Sequence, residues 1–151
     1  MPRIFEEYVP GTAWEFGRVA FSRESILEFA RRYDPQPFHV DPDGAARSIF
    51  GELIASGWHT GVETLRLMVD HVLSKTANLG SPGMTEVRWP RPVRVGDVIS
   101  VRLTIADAVP SRSKPDRGIV SLLVETLNQR RETVMRFTMT LFVRRAGGQP
   151  R

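Results

Sequence analysis

The fold of this chain depends first on residues 54–72, which read IASGWHTGVETLRLMVDHV. Small residues open the stretch, and apolar residues then recur densely from Trp58 to Val72. This density favours a long helix that is buried rather than lying on the surface. Gly80, Pro82 and Gly83 follow, and they end the helical region because glycine and proline interrupt regular secondary structure.

Four further segments with apolar or alternating patterns follow the long helix, and no helical pattern separates them. They are Thr85 to Trp89, Val98 to Ala108, Gly118 to Leu127 and Thr133 to Val143. Segments that contain Gly, Pro, Asn or Asp lie between them, as is typical of turns. Alternation of apolar and polar residues indicates strands with one buried face. We therefore predict successive antiparallel strands.

The residues before the long helix predict one strand and two shorter helices. Ala13 to Phe21 is close to alternation and predicts a strand. Ser22 is expected to cap a helix that ends near Tyr33, and Asp41 to cap a short helix that ends near Gly51. The whole order predicts an α+β fold, in which an antiparallel sheet packs against one buried helix.

The composition indicates one ordinary intracellular domain. The chain has 151 residues and a mass of 17.0 kDa, which fits a single domain over residues 1–151. It has no cysteine, which excludes disulfides, thiolate metal sites and a cysteine nucleophile. We predict a cytoplasmic protein without a membrane span, because neither a secretory signal pattern nor a long apolar stretch occurs.

The positive charge does not by itself indicate a nucleic-acid partner. The chain has 21 Lys and Arg against 17 Asp and Glu, a net charge of +4. The arginines are scattered, with no basic run interleaved with aromatic residues, so we predict no nucleic-acid binding. A solvated basic surface and a site for a phosphate-bearing small molecule remain as alternatives.

The first candidate for chemistry is the pair Asp34 and His39, in the segment YDPQPFHV at residues 33–40. Two prolines stiffen the segment, and ionisable groups in apolar surroundings suit general acid and base catalysis. The plainer alternative is a turn-forming Asp and an unrelated His. An extended strand would hold the two side chains apart, so the catalytic hypothesis requires the segment to fold back.

The second candidate is Gly57, at the predicted start of the long helix. A helix N-terminus offers unpaired backbone N–H groups and partial positive charge, and glycine permits a ligand to approach the backbone closely. Gly57 N–H is therefore a candidate donor to an oxygen that becomes negative during a reaction. The alternative is close packing of the helix start against the sheet.

Three segments together resemble the MaoC-like, (R)-specific enoyl-CoA hydratase family. They are YDPQPFHVD at residues 33–41, AA at residues 45–46 and FGELIASG at residues 50–57, with residue types and gaps in register. PVRVGD at residues 92–97 resembles a strand-linking segment of the same family. The resemblance implies a single hotdog domain, in which an antiparallel sheet wraps around a long central helix.

The resemblance also implies an activity in fatty acid metabolism. Family members reversibly hydrate trans-2-enoyl-CoA to (R)-3-hydroxyacyl-CoA, so an acyl-CoA thioester is the expected partner. Asp34 and His39 match the pair that activates the water, and Gly57 matches the residue whose N–H polarises the thioester carbonyl. We expect no metal and no cofactor besides the CoA of the substrate. Family members form homodimers or larger assemblies with the site at the subunit interface.

Two departures from the family pattern leave alternatives open. Gln36 replaces the usual Asn with a longer amide. Leu65 stands where some family hydratases have a serine, and this difference leaves open which substrates the pocket accepts. One rival function is a hotdog thioesterase, in which the carboxylate directs water at the thioester carbonyl. Another is a non-catalytic subunit that binds acyl thioesters. The residues alone also leave open which of Asp34 and His39 is the base, and the length of the acyl chain.

Other conspicuous side chains have plainer interpretations. His59 and His71 lack a third ligand at metal-binding spacing, so we interpret them as packing or surface residues. Three tryptophans are interpreted as core or interface aromatics: Trp14, Trp58 and Trp89. Three arginines are interpreted either as contacts for CoA phosphates or as charge that blunts a sheet edge: Arg88, Arg91 and Arg94.

Overall fold

A computed structural model describes residues 1–148 of the chain. In chain order, its regular elements are β1 (Ala13–Ala20), α1 (Arg23–Tyr33), α2 (Pro37–Val40), α3 (Pro42–Ala46), α4 (Gly57–His71), β2 (Gly83–Arg88), β3 (Val98–Pro110), β4 (Arg117–Leu127) and β5 (Thr133–Arg144). Short 3-10 helices lie at Phe5–Glu7 and Leu73–Lys75. The predicted strands and the predicted long helix are all present.

The five strands form one antiparallel sheet in the order β1-β3-β4-β5-β2. The hairpins β3-β4 and β4-β5 build its centre, and β1 and β2 are its two edges. Alternation places one face of each long strand inside: Val120, Leu122 and Val124 of β4 are fully buried. Leu67 and Met68 of α4 pack into the same cluster, which confirms an α+β fold with the sheet against a long helix.

The edge strand β1 bends over α4 at Gly17. This residue has a φ of +86° and lies where the register of β1 against β3 shifts, between Phe16 and Val19. A Cβ added at Gly17 would lie 2.6 Å from Cδ2 of Leu67. Glycine is needed here because the backbone conformation is left-handed and the helix leaves no room for a side chain.

The prediction that α4 is a buried helix is wrong for one of its faces. Leu67 and Met68 face the sheet and are buried, whereas a stripe on the other side is exposed. We call this stripe the apolar stripe of α4, and it consists of Trp58, Val62, Leu65 and Val69. The periodicity of a helix with two apolar faces resembles that of a fully buried helix, so sequence alone does not separate them. Among residues 1–148 of the single chain, nothing covers this face.

The short helices pack around a second hydrophobic cluster, which includes Ile26 of α1, Ala45 of α3 and Ala55 just before α4. Ser22 caps α1 as predicted, since its Oγ accepts a hydrogen bond from Ser25 N–H at 3.1 Å. The predicted end of α3 near Gly51 is wrong, because the helix ends at Ala46. The Ser48 hydroxyl donates a hydrogen bond to Ala45 O at 2.6 Å. The chain therefore forms a turn here, where a longer helix would have continued its backbone hydrogen bonds. None of the helices in residues 1–148 has the length and apolarity required to cross a bilayer.

Candidate active site

The structure brings Asp34 and His39 together at the end of α1. Asp34 directly follows α1, and its backbone N–H still bonds Ala30 O at 2.8 Å. The next residues form the single turn α2, which begins at Pro37, a residue suited to the first position of a helix. This turn reverses the chain and leaves His39 Nε2 at 3.4 Å from Asp34 Oδ2. The segment therefore folds back, as the catalytic hypothesis requires, through a helical turn.

Backbone contacts hold the His39 ring in one orientation. Its Nδ1 lies 2.8 Å from the carbonyl oxygen of Ile54, just before α4. A carbonyl oxygen only accepts hydrogen bonds, which assigns a hydrogen to Nδ1 and directs Nε2 towards Asp34. The side chain is buried, and the backbone N–H of Ile54 returns a bond to Phe38 O at 3.1 Å. Nε2 is therefore the ring nitrogen that is left to face Asp34.

Three neighbours stabilise Asp34 as a carboxylate. Burial acts to raise the pKa of Asp34, but hydrogen bonds from Gln36 and Ser56 and the charge of His39 outweigh it and hold the pKa below its usual value. Gln36 Nε2 donates to Oδ1 at 2.6 Å, and Ser56 Oγ donates to Oδ2 at 2.8 Å. At neutral pH the side chain is ionised and is able to accept a proton.

Gly57 is the first residue of α4 and lies close to Trp89. As the first helical residue, Gly57 has a backbone N–H with no acceptor inside the helix. A Cβ added at Gly57 would lie 2.8 Å from Cε2 and Nε1 of Trp89, and Trp89 Nε1 donates to Gly57 O at 3.0 Å. Close packing thus occurs here, against an aromatic ring that follows β2. This packing involves the Cα and the carbonyl oxygen of Gly57 and does not use its N–H.

The three candidate residues line one cleft of about 440 Å³. Most of its other lining residues are apolar, namely Phe38, Phe50, Ile54, Ala55, Trp58, Trp89, Pro90, Pro92 and Val93. An apolar cleft with a few convergent polar groups is typical of a site for a small organic ligand. The cleft therefore combines an acid/base pair, a helix N-terminus and apolar walls.

A comparison with known protein families matches residues 6–127 to the MaoC like domain. This chain belongs to the MaoC-like family. The crystal structure of a MaoC-like dehydratase from Rhodospirillum rubrum is similar at a TM-score of 0.90 and 40% sequence identity, over 95% of this chain and 98% of that one. A 3-hydroxybutyryl-CoA dehydratase of Methylorubrum extorquens is 31% identical, over 73% of this chain and 68% of its own length.

The fold is also shared with a Mycobacterium tuberculosis protein that has a double hotdog fold. The TM-score is 0.80 at 14% sequence identity, over 99% of this chain and 46% of the double protein. Identity at this level shows the fold alone. The predicted hotdog fold and the predicted MaoC-like family are thus confirmed.

Ser56 and Trp89 contact the site of this MaoC-like protein but were not predicted as site residues. Ser56 precedes a glycine at a helix start, which is a typical capping position and was the one available signal. Its bond to Asp34 joins residues 22 positions apart, and the contact of Trp89 with Gly57 joins residues 32 positions apart. Neither spacing follows a helical or strand period, so no pattern in the sequence indicates either contact.

Of the three predicted arginines, Arg88 is the exposed last residue of β2, and the other two follow β2 in different surroundings. Arg91 lines the cleft and lies 3.1 Å from Glu132. Arg94 is held by contacts within the protein, since its Nη1 donates to Phe50 O at 3.0 Å and to Glu52 Oε1 at 2.8 Å. Of the two, Arg91 is the better candidate for contact with a phosphate-bearing ligand.

His59 packs as an aromatic residue, as predicted. Its ring stacks on Phe29 at 4.8 Å and lies 4.5 Å from Phe21, between α1 and α4. Nδ1 is buried without a hydrogen-bond partner among the described residues, and Nε2 is 3.9 Å from Glu63 Oε1. Burial lowers the pKa of His59 from 6.5 to about 4, because the charged imidazolium loses its hydration.

We therefore expect His59 to make the protein less stable in mild acid. As the pH falls, His59 takes up a proton at a higher pH in the unfolded chain than in the folded one. The contribution of neutral His59 to the free energy of unfolding is therefore intact above pH 6.5 and is lost towards pH 4. The loss between about pH 7.5 and about pH 5 is about 2 kcal/mol. Thermal unfolding of wild type and His59→Leu at both pH values measures it. The variant should lose less stability than wild type, and equal losses would contradict this assignment.

Proposed function

We propose that this MaoC-like protein reversibly hydrates trans-2-enoyl thioesters, such as enoyl-CoA, to (R)-3-hydroxyacyl thioesters. The observation that carries the proposal is the pair of Asp34 Oδ2 and His39 Nε2, 3.4 Å apart in an apolar cleft beside the N-terminus of α4. The two atoms face each other closely enough to act on the same water. A place in cytoplasmic fatty acid metabolism is part of this proposal.

In the proposed reaction, the resting pair holds one proton that can be transferred, on His39 Nε2, while the hydrogen on Nδ1 stays bonded to Ile54 O. Asp34 accepts a proton from the water while the water oxygen bonds the β-carbon of the enoyl group. His39 donates its proton to the α-carbon, which completes the addition of water. The proton on Asp34 Oδ2 then moves to His39 Nε2 over the 3.4 Å that separates them, and the pair is reset.

Gly57 is proposed to stabilise the charge that develops during the addition. Electrons of the enoyl double bond move towards the thioester carbonyl oxygen, which becomes enolate-like. A backbone N–H at the start of a helix is fixed before the reaction and favours that negative charge. In this proposal the thioester carbonyl binds at Gly57 and the β-carbon faces the Asp34 and His39 pair.

The function is tested with a panel of enoyl-CoA thioesters that range from short and linear to long and branched. Loss of enoyl-thioester absorbance measures hydration, and a thiol reagent measures release of free CoA. Hydration with the thioester intact supports the proposal. Release of thiol would instead indicate a thioesterase, and tight binding of crotonyl-CoA without turnover would indicate a binding subunit.

We further propose that a second copy of the chain covers the apolar stripe of α4, which forms a homodimer. The stripe continues into the cleft at Trp58, whose ring lies 5.4 Å from that of Trp89. The adjacent edge strand β2 pairs with β5 on one side and exposes Met84. An apolar helix face beside a strand edge that has no partner within residues 1–148 is suited to a symmetric contact with an identical chain.

Leu65→Glu is expected to shift this homodimer towards the monomer. The substitution puts a charge in the middle of the apolar stripe, where a partner would have to desolvate it. Light scattering coupled to size exclusion measures the mass, and circular dichroism checks the fold. Leu65→Met is the matched control and should stay dimeric. A wild-type protein that is monomeric in this assay would contradict the proposed dimer.

A further inference from the structure

Ser56 connects Asp34 to the helix that begins at Gly57. Its side chain is completely buried between the end of α1 and the start of α4. The Oγ donates to Asp34 Oδ2 at 2.8 Å and accepts a hydrogen bond from Trp58 N–H at 3.3 Å. The Ser56 carbonyl oxygen accepts from Thr60 N–H at 3.2 Å. One residue therefore caps α4 and holds a carboxylate of the candidate site.

We propose that Ser56 is a positioning residue that holds the Asp34 carboxylate in a fixed relation to the Gly57 N–H. This inference rests on the proposed function, in which Asp34 accepts the proton of water and Gly57 N–H binds the carbonyl oxygen. Ser56 acts through its neighbours, because its hydroxyl is already hydrogen-bonded to the Asp34 carboxylate and to Trp58 N–H of α4.

The hydrogen bonds of Ser56 determine the direction in which its hydroxyl hydrogen points. A serine hydroxyl has a single hydrogen, and Trp58 N–H already occupies a lone pair of the oxygen. The hydrogen therefore points at Asp34 Oδ2. Because Gln36 donates to Oδ1, both carboxylate oxygens are held and the group cannot rotate without the loss of a hydrogen bond.

Ser56 joins the proposed base, through its side chain, to the proposed oxyanion donor, through its backbone. The proposed donor, Gly57 N–H, belongs to the peptide bond between Ser56 and Gly57. A shift of Ser56 therefore moves the donor and the support of Asp34 together. Small misplacement of catalytic groups is costly, because proton transfer and charge stabilisation both require defined distances.

The experiment compares Ser56→Ala with Ser22→Ala. Both serines cap a helix and accept a hydrogen bond from a backbone N–H of the first turn, and only Ser56 contacts Asp34. Thermal unfolding measures the loss of the cap. Titration of the Asp34 carboxyl carbon by NMR and the pH profile of kcat/KM measure the second role.

Both variants should unfold at lower temperature, since each loses a cap. Ser56→Ala alone should raise the pKa of Asp34, because the carboxylate loses a hydrogen bond, and should shift the acid limb of kcat/KM to higher pH. It should also lower kcat by about tenfold or more at neutral pH, with a smaller change in KM. Ser22→Ala should leave the titration and kcat unchanged.

Ser56→Gly provides a second test in case Ser56→Ala folds poorly. Glycine is nearly as good a helix cap as serine but has no hydroxyl, so the variant removes the bond to Asp34 with little loss of the cap. An unchanged titration of Asp34 in the Ser56 variants would overturn the inference and leave Ser56 a helix cap only. If wild type hydrates no enoyl thioester, the proposed function fails separately, and the titration still decides whether Ser56 controls Asp34.

Discussion

Asp34→Asn is expected to lower kcat/KM for enoyl-thioester hydration by about 10²- to 10⁴-fold, the usual contribution of a positioned acid or base. An amide of the same shape still accepts the hydrogen bond from Ser56 Oγ, which lies 2.8 Å from the native carboxylate. It cannot accept a proton from water. The loss should fall on kcat, because no binding contact of comparable strength is removed.

The matched control for this variant is Asp41→Asn. Asp41 also precedes a short helix, where its Oδ1 accepts from Asp43 N–H at 3.1 Å, and it is not among the residues that line the cleft. Asparagine keeps this cap, so activity and thermal stability should both stay close to wild type. Full hydration activity in Asp34→Asn would end the proposal that this carboxylate is the base.

His39→Gln is expected to cause a loss of similar size. Glutamine is able to donate to Ile54 O in place of Nδ1, which lies 2.8 Å from that oxygen in the native protein. It offers no group that gives a proton to carbon and takes one back from Asp34, so the addition of water cannot be completed. His71→Gln is the control, because His71 lies at the far end of α4 and stacks on Phe16.

The double variant tests whether the two residues act as one unit. If Asp34 and His39 share one water and one proton, the loss of either disables the step, and the second substitution adds little. Stopped-flow or steady-state hydration of the double variant measures this directly. A double variant whose loss equals the product of the two single losses would show independent roles and contradict the shared-proton mechanism.

Local patterns explain why much of the fold was predictable. A strand with one buried face has to alternate apolar and polar residues, as β4 does at Val120, Leu122 and Val124. A helix start needs acceptors for its free N–H groups, which made Ser22 a recognisable cap. The end of α3 was harder to predict, because the Ser48 turn competes with the helix through one side-chain bond.

The candidate site was predictable only as separate residues. Asp34, His39 and Gly57 were identified from residue type, local stiffness and family resemblance, and all three line one cleft. Whether the pair met was undecided, because five positions separate the two residues and backbone geometry decides the distance. The turn α2 and the bond from His39 to the backbone before α4 bring His39 Nε2 to 3.4 Å from Asp34 Oδ2.

By itself, the sequence determined the strand alternation, the position of the long helix and the candidate residues, since each depends on a repeat or on neighbours along the chain. Only the tertiary structure decided the contacts of Ser56 with Asp34 and of Trp89 with Gly57, and the exposure of the apolar stripe of α4. Hydrogen bonds and packing between distant segments have no period in the sequence. An apolar residue shows in the sequence that its burial is favourable. Only the packing of the folded chain determines which groups cover it.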